Sequence, residues 1–171
     1  MNRGLASASW GRAALAGAAG GVAWLVGIGL FFWPVQGILT DPSHQSAKFL
    51  AAFGEPPLPR IADLPWLLPV GLLIVGTASG LAYHLQAGSG TGSVWRRGRR
   101  FGLLAWLVAI PWFEFYLPFN VMREPMPLVM LELLCWFLVL QLVGTTIALV
   151  YHGRRTEAGE LQSRERVAPS S

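Results

Sequence analysis

Two glutamates stand inside otherwise apolar stretches of this chain, where a carboxyl group can bind a proton or a cation. Glu114 lies in "WFEFYLPF" and Glu132 lies in "VMLELLCW". A charge in the middle of a membrane costs about 2.5–3.5 kcal/mol even on the milder scales, so such residues are candidates for function. Two carboxylates placed close together also repel each other, and we expect one of them to keep its proton.

Three polar residues in the link between these stretches extend the candidate site: Asn120, Arg123 and Glu124. The sequence is compatible with three arrangements of the pair. Arg123 folds back and pairs with one or both glutamates, or the glutamates form a proton- or cation-binding site at the mouth of a cavity. In the third arrangement they point outward and reach the membrane interface.

His84 and His152 form a second candidate pair. Histidines on facing membrane spans can be the two axial ligands of a haem, which would make the chain an electron carrier. Each histidine, however, follows a tyrosine at the end of an apolar stretch, and an interfacial Tyr-His belt accounts for that position equally well.

No catalytic or metal-binding motif accompanies these residues. The chain lacks a phosphate-binding G-x-x-x-x-G-K-[ST], an H-E-x-x-H and a G-x-S-x-G. The single Cys135 has no partner for an internal disulfide. We therefore assign no catalytic residue and no metal site, expect a protein that is not an enzyme, and keep haem as the one cofactor hypothesis.

The elements that position these residues are four apolar stretches. Of the 171 residues, 53% are hydrophobic and 13% are charged, whereas about 25% are charged in a typical soluble domain. Each stretch has about the 20 residues needed to cross a bilayer. The predicted fold is an all-α membrane protein, a four-helix transmembrane bundle. The predicted spans are 13–33, 66–85, 101–119 and 128–151, with an N-terminal tail 1–12, an outer loop 34–65, a cytoplasmic loop 86–100 and a disordered tail 154–171.

The basic residues predict the orientation. Ten lie in the two tails and the central link, and three lie in the other two links. Under the positive-inside rule this places both termini in the cytoplasm. The arginines flank spans, so we expect affinity for anionic lipid and no nucleic-acid binding. Their excess over lysine is typical of a bacterium with a GC-rich genome, which predicts the inner (plasma) membrane.

Two words recur along the chain in the same order. "VGTASGLAYH" at Val75–His84 and "VGTTIALVYH" at Val143–His152 share six of ten residues, and "AWLV" begins at Ala23 and again at Ala105. This pattern predicts two tandem helical hairpins related by an axis along the membrane normal. The first hairpin carries about 13 extra residues in its outer loop.

Local patterns predict how the hairpins are built. In the outer loop, Asp41 as N-cap and Gly54 as C-cap delimit a short amphipathic helix, with a flexible loop as the alternative. Small residues repeat every four positions at Gly17 and Gly21 in the first span and at Gly76 and Gly80 in the second. We expect these two spans to pack through those residues.

Three functions of different classes fit this sequence. The first is a non-enzymatic interaction or assembly component of the membrane, whose partners are lipid and either a second copy or another membrane protein. The second is a proton- or cation-coupled transport protein that uses Glu114 and Glu132. The third is a haem-binding electron-transfer protein that uses His84 and His152.

Overall fold

The computed structural model describes residues 3–86 and 92–167, and the side chains of 10–86 and 92–153. These residues are helical and contain no β-strand. A 3₁₀ turn (Trp33–Val35) and a π-helix (Phe115–Val121) interrupt the α-helices. The α-helices are α1 (Arg3–Phe31), α2 (Gln36–Leu39), α3 (Ala47–Gly54), α4 (Arg60–Asp63), α5 (Leu67–Gln86), α6 (Val94–Glu114) and α7 (Met126–Val167).

Four helical stretches are long and apolar enough to cross a membrane, which confirms the predicted multi-pass membrane protein. They are Trp10–Leu39, Leu67–Gln86, Val94–Val121 and Met126–Gly153. The start of α6 and the end of α5 lie at one end of the molecule, here called the arginine-rich end. The segments between α1 and α5 and between α6 and α7 lie at the other, here called the loop end.

The helices extend beyond the predicted spans. The cytoplasmic loop was expected to reach residue 100, but α6 already begins at Val94, because the Ser93 hydroxyl accepts a hydrogen bond from the Arg96 amide and caps the helix. The tail 154–171 was expected to be disordered, yet α7 continues to Val167. A helix already formed in the span is extended at low cost by the good helix formers of "TEAGELQSRER". The linker residues 87–91 and the last residues 168–171 lie outside the described residues.

Glycines bring α1 and α5 into backbone contact, as the small-residue pattern predicts. A Cβ on Gly76 would lie 2.4 Å from the Gly21 nitrogen and 2.6 Å from the Gly17 oxygen. A Cβ on Gly80 would lie 2.3 Å from the Ala13 oxygen. Since real Cβ atoms do not approach so closely, these positions require glycine while the helices keep this distance.

The same arrangement joins α6 and α7. A Cβ on Gly144 would lie 2.5 Å from the Gly98 oxygen and 2.7 Å from the Gly102 nitrogen. Gly98 and Gly102 fall within "RGRRFG", which the sequence analysis assigned to the end of a loop and the start of a span. The pair α6–α7 therefore has its own small-residue interface, with a glycine of the later helix set against two glycines of the earlier one.

The two hairpins join through α1 and α7. Gly20 faces Ile147, whose side chain is fully buried, and Gly27 faces Val139. The buried cluster around them also contains Ala16 and Val143. Around the bundle the helices follow the order α5, α1, α7, α6, and α5 packs directly on α1 while α6 packs directly on α7. A groove remains open between α5 and α6.

The glycine contacts give a matched pair of variants. Gly76→Ala places a methyl group against the backbone of α1, and we expect a loss of about 2 kcal/mol, or roughly 4–8 °C in the unfolding midpoint. Gly71→Ala lies on the same helix with nothing within 4 Å of its Cβ, so it should leave the midpoint unchanged or raise it. Cys135 is the single cysteine and is 4% exposed, so a thiol-reactive fluorogenic dye reports unfolding. Equal shifts in both variants would contradict the packing described.

Candidate functional site

A π-helix and a tight turn place the acidic residues at the loop end. Glu114 ends α6, and Phe115–Val121 continues it with one extra residue in each turn. The Glu124 amide then donates to the Pro118 carbonyl at 3.0 Å, which folds the link back against the π-helix. Arg123 adopts a left-handed conformation, with φ of 58°, and the chain reverses there. The result is that Glu124 turns inward after the reversal.

Three carboxyl groups meet at this point. Glu132, on the second turn of α7, lies within hydrogen-bonding range of Glu114, and both interact electrostatically with Glu124. Glu114 is 1% exposed and Glu124 is 3% exposed, while Glu132 is half-buried. Here this group is called the carboxyl cluster (Glu114, Glu124 and Glu132).

No basic side chain among those described neutralises the carboxyl cluster. The one ion pair among them is His44–Asp41, in the exposed segment between α1 and α5. One oxygen of Glu114 and both oxygens of Glu124 are buried without a hydrogen-bond partner among these residues. Burying an unpaired carboxylate is costly. The cluster therefore requires protons or a bound cation.

Glu124 lies between the two spanning stretches and responds to this environment. Burial, and then the nearby Glu132, raise the pKa of Glu124 from 4.5 to about 7. The carboxyl group of Glu124 consequently changes its charge close to neutral pH. A proton on Glu124 can therefore exchange in the physiological pH range.

A cavity of about 410 Å³ opens beside Glu132. It lies between the end of α1, the helix α2 and the helix α3, and it is bordered by aromatic rings and two neutral polar side chains. Its volume falls in the range of about 300–1,000 Å³ that is usual for sites that hold small molecules. The lining consists of Ile28, Gly29, Phe32, Trp33, Gln36, Leu39, Thr40, Phe49 and Glu132.

The segment between α1 and α5 contacts the link between α6 and α7 at the loop end. The Ser46 hydroxyl accepts a hydrogen bond from the Phe49 amide at 3.0 Å, which caps α3, and donates to the Met122 carbonyl in the opposite link. The predicted N-cap at Asp41 is displaced by five residues. Asp41 instead accepts from the Ser43 hydroxyl at 2.7 Å and from the Ser43 amide at 2.8 Å and closes a separate turn, and these hydrogen bonds lower the pKa of Asp41.

Trp136 supports the site, and the sequence analysis did not single it out. Its side chain lies within hydrogen-bonding range of the Glu114 carboxyl group. Its ring packs edge to face on Phe32, with centroids 4.7 Å apart, and on Trp24 at 6.4 Å. Trp136 follows Glu132 by one helical turn, so the shared face of the helix was the signal that could have identified it.

Two of the predicted site residues lie apart from the carboxyl cluster. The Asn120 amide donates to the Phe115 carbonyl at 2.7 Å, within the π-helix itself, and Asn120 is exposed. Arg123 is also exposed, and it makes no ion pair within 4 Å to any side chain that the structure describes. Of the three arrangements considered from sequence, the cavity arrangement agrees with the geometry of Glu132.

The two histidines lie at the opposite, arginine-rich end and are paired crosswise with tyrosines. The Tyr83 hydroxyl and His152 Nε2 are 3.1 Å apart, and His84 Nδ1 and the Tyr151 hydroxyl are 2.5 Å apart. The rings of the two tyrosines pack edge to face, with centroids 5.5 Å apart. Trp10 packs edge to face on His84 at 4.6 Å. The matched Tyr-His words of the second and fourth spans thus contact each other reciprocally.

The pairing with tyrosines engages one nitrogen of each imidazole. A haem needs one nitrogen of each imidazole directed at the iron. Here His84 Nδ1 and His152 Nε2 are each hydrogen-bonded to a tyrosine, and both tyrosines are buried in the same cluster. Haem binding stays a prediction from the sequence.

Comparison of the chain with protein-family models, with curated proteins and with solved structures gives no match.

The raised pKa of Glu124 predicts how stability depends on pH. Because the folded-state pKa of about 7 exceeds the reference value of 4.5, this group's contribution to stability is complete below about pH 4.5. It is lost as the pH rises to about 7, at up to about 1.4 kcal/mol per pH unit. We expect the unfolding midpoint of the wild type to fall between pH 5 and 8, and Glu124→Gln to flatten that fall. Glu55→Gln, at an exposed position, should keep the wild-type slope. An unchanged slope in Glu124→Gln would show that Glu124 is not the titrating group.

Proposed function

We propose that this chain is a proton- or cation-coupled membrane transport protein that binds an organic cation in the cavity beside Glu132. The observation that carries this proposal is a cluster of three carboxyl groups, two of them buried, with no described basic side chain paired to them. It borders a cavity open at the loop end. Such a cluster can be stabilised in two ways: it holds protons, or it holds a cation.

The lining of the cavity selects the class of cation. A cavity of about 410 Å³ is far larger than a bare metal ion needs, and one carboxyl group with two neutral polar side chains is a poor set of ligands for a divalent metal. The rings of Phe32, Trp33 and Phe49 line the same space. Aromatic faces attract ammonium and related cations, and they also pack on apolar substituents. An amphiphilic organic cation matches both features.

Binding and protonation are linked through the net charge of the cluster. When the cavity holds no cation, the carboxyl groups keep protons, because three neighbouring negative charges, two of them on buried groups, cannot coexist without compensation. A cation that enters beside Glu132 supplies the compensating charge and displaces a proton from the cluster. The total buried charge then stays constant. This exchange is the elementary step by which a proton gradient can drive the movement of a cation.

The same proposal includes the orientation and the membrane. Thirteen basic residues are divided ten to three between the two ends, which supports cytoplasmic termini and a bacterial inner (plasma) membrane. The carboxyl cluster would then face the outside of the cell. The helix α3, with the rings of Phe49 and Phe53 in tilted contact on one face at 4.6 Å between centroids, would lie as an amphipathic cover at the outer surface.

A duplicated hairpin is the proposed origin of the bundle. Gly76 contacts the Gly17 oxygen and the Gly21 nitrogen, and Gly144 contacts the Gly98 oxygen and the Gly102 nitrogen in the same way. The crosswise Tyr-His pairs are what a two-fold axis along the membrane normal produces. The glycines of the two copies are offset by one residue relative to the "AWLV" words, which corresponds to a rotation of about 100° on one helix.

A non-enzymatic interaction or assembly role stays the alternative. It needs no site, and a second copy or another membrane protein remains its expected partner. The transport proposal is preferred because it gives the buried, unpaired carboxyl groups a function. An assembly role leaves these groups without a function.

Proton release on binding tests the proposal with a defined probe. We expect tetraphenylphosphonium to bind the purified protein and to release up to one proton per cation, measured by titration calorimetry in buffers of different ionisation enthalpy. Glu132→Gln removes the carboxyl group that lines the cavity, so binding should weaken at least tenfold and proton release should stop. Glu114→Gln should reduce proton release more than affinity, because Glu114 is buried behind Glu132.

The matched control is Glu55→Gln, on the exposed part of the outer loop, which should bind as the wild type does. Proteoliposomes should also show uptake of the probe driven by a pH gradient, and this uptake should be absent in Glu132→Gln. Binding without proton release in the wild type, or wild-type binding in Glu132→Gln, would refute the proposal.

Two phenylalanines on one helix test the aromatic lining. Phe49 lines the cavity, whereas Phe53, one turn later on α3, does not. Phe49→Ala should weaken binding of the probe by about five- to thirtyfold, from loss of a cation–π contact worth about 1–2 kcal/mol. Phe53→Ala should change it less than twofold. Equal losses of affinity in the two variants would indicate that Phe49 affects binding only through the stability of α3, which would contradict a direct contact with the cation.

A further inference from the structure

The groove between α5 and α6 is a second, independent feature of the bundle. It has a volume of about 530 Å³. Its walls are apolar side chains of α5 and α6, such as Val75, Ala78 and Val108, and its floor is formed by α1 and α7 through Trp24, Leu140 and Val143. Val108 is 80% exposed and Ile74 is 64% exposed, so the groove opens sideways, toward the hydrocarbon of a bilayer.

The length of the groove matches one leaflet. On α5 its lining extends from Ile74 to Gln86, and on α6 from Phe101 to Ile110. At 1.5 Å per residue these segments are about 18 Å and about 14 Å long. Half of the hydrocarbon core of a bilayer is about 15 Å thick. The groove therefore begins at the arginine-rich end and stops near the middle of the membrane, as an acyl chain of that leaflet does.

Basic residues stand at the mouth of the groove. Gln86 lines the groove at the last turn of α5. On α6, Arg97 and Arg100 precede the lining residues Phe101 and Leu104 by one helical turn each, so they share the groove's face. Arg97 is near enough to act electrostatically on Tyr83, and it donates from Nε to the Gly92 carbonyl at 3.1 Å.

We infer that this groove binds one acyl chain of an anionic phospholipid, whose phosphate lies against Arg97 and Arg100. The occupant is a lipid because the groove is lateral, apolar and one leaflet long, and because the positive charge is confined to the end where the headgroups of that leaflet lie. A lipid in this place also fills the gap between α5 and α6, which pack mainly on α1 and α7 and meet each other at the edge-to-face rings of Tyr83 and Phe101, 5.3 Å between centroids. It would complete the bundle as a fifth apolar element.

Native mass spectrometry of the detergent-solubilised protein tests this inference. The protein is titrated with dioleoyl phosphatidylglycerol and, separately, with dioleoyl phosphatidylcholine. We expect one tightly retained molecule of the anionic lipid, and weaker retention of the zwitterionic one. Arg97→Gln and Arg100→Gln should each lower retention of the anionic lipid about fivefold, because each arginine near a membrane surface contributes about 1 kcal/mol. Arg99→Gln, which falls on a different face, should change it less than twofold.

A variant that fills the groove distinguishes a bound chain from a surface-associated headgroup. Ala78→Phe places a ring in the groove and should abolish retention of the first molecule of both lipids, whereas Leu73→Phe, on the same helix outside the groove, should keep it. Ala109→Phe fills the same groove from α6. It serves as the second variant if Ala78→Phe lowers the unfolding midpoint that labelling of Cys135 reports. Equal retention of the two lipids, or wild-type retention in both filled variants, would overturn the inference. Co-purification of a protein in the groove in place of lipid would do the same.

Discussion

The close approach of backbones at glycine is the constraint on which the rest of the structure depends. Lipid gives helices no hydrophobic reason to associate, so contact has to come from packing that only small residues permit. Gly76 on α5 contacts two glycines of α1, and Gly144 on α7 contacts two glycines of α6. These contacts fix two hairpins, and the α1–α7 contact then joins them. Both the cavity at the loop end and the groove between α5 and α6 are spaces left over by that arrangement.

The carboxyl cluster is stable only because the packing around it limits how its members relax. Glu114 is held behind Trp136, which itself packs on Phe32 and Trp24. Glu124 is turned inward by the reversal at Arg123 and by the hydrogen bond from its amide to Pro118. None of these contacts neutralises the carboxyl groups. The fold therefore preserves a site whose occupancy by protons or a cation is coupled to its own stability.

Sequence reasoning reached the features that follow from composition and short spacing. Four spans followed from the apolar stretches, and the α1–α5 interface followed from Gly17, Gly21, Gly76 and Gly80. The Gly98–Gly102 pair was missed because its arginine neighbours resemble a loop, although the helix already begins at Val94.

Glu124 was predicted only as a secondary member of the candidate site, because a polar residue in a turn is usually solvated. Its burial depends on the π-helix and on a left-handed arginine, neither of which has a local sequence signature. The crosswise Tyr-His pairs could not be predicted because each joins residues of different spans, 67 and 69 positions apart in the sequence.

Infrared difference spectroscopy of the purified protein is the most direct test of the central claim, that the carboxyl cluster is kept neutral by protons until a cation replaces one of them. At neutral pH we expect a carbonyl band of protonated carboxylic acid that loses intensity, by up to one carboxyl group per bound cation, when tetraphenylphosphonium saturates the protein, and that is weaker in Glu114→Gln. A spectrum at neutral pH with no protonated carboxyl band, or one that the cation leaves unchanged, would contradict it.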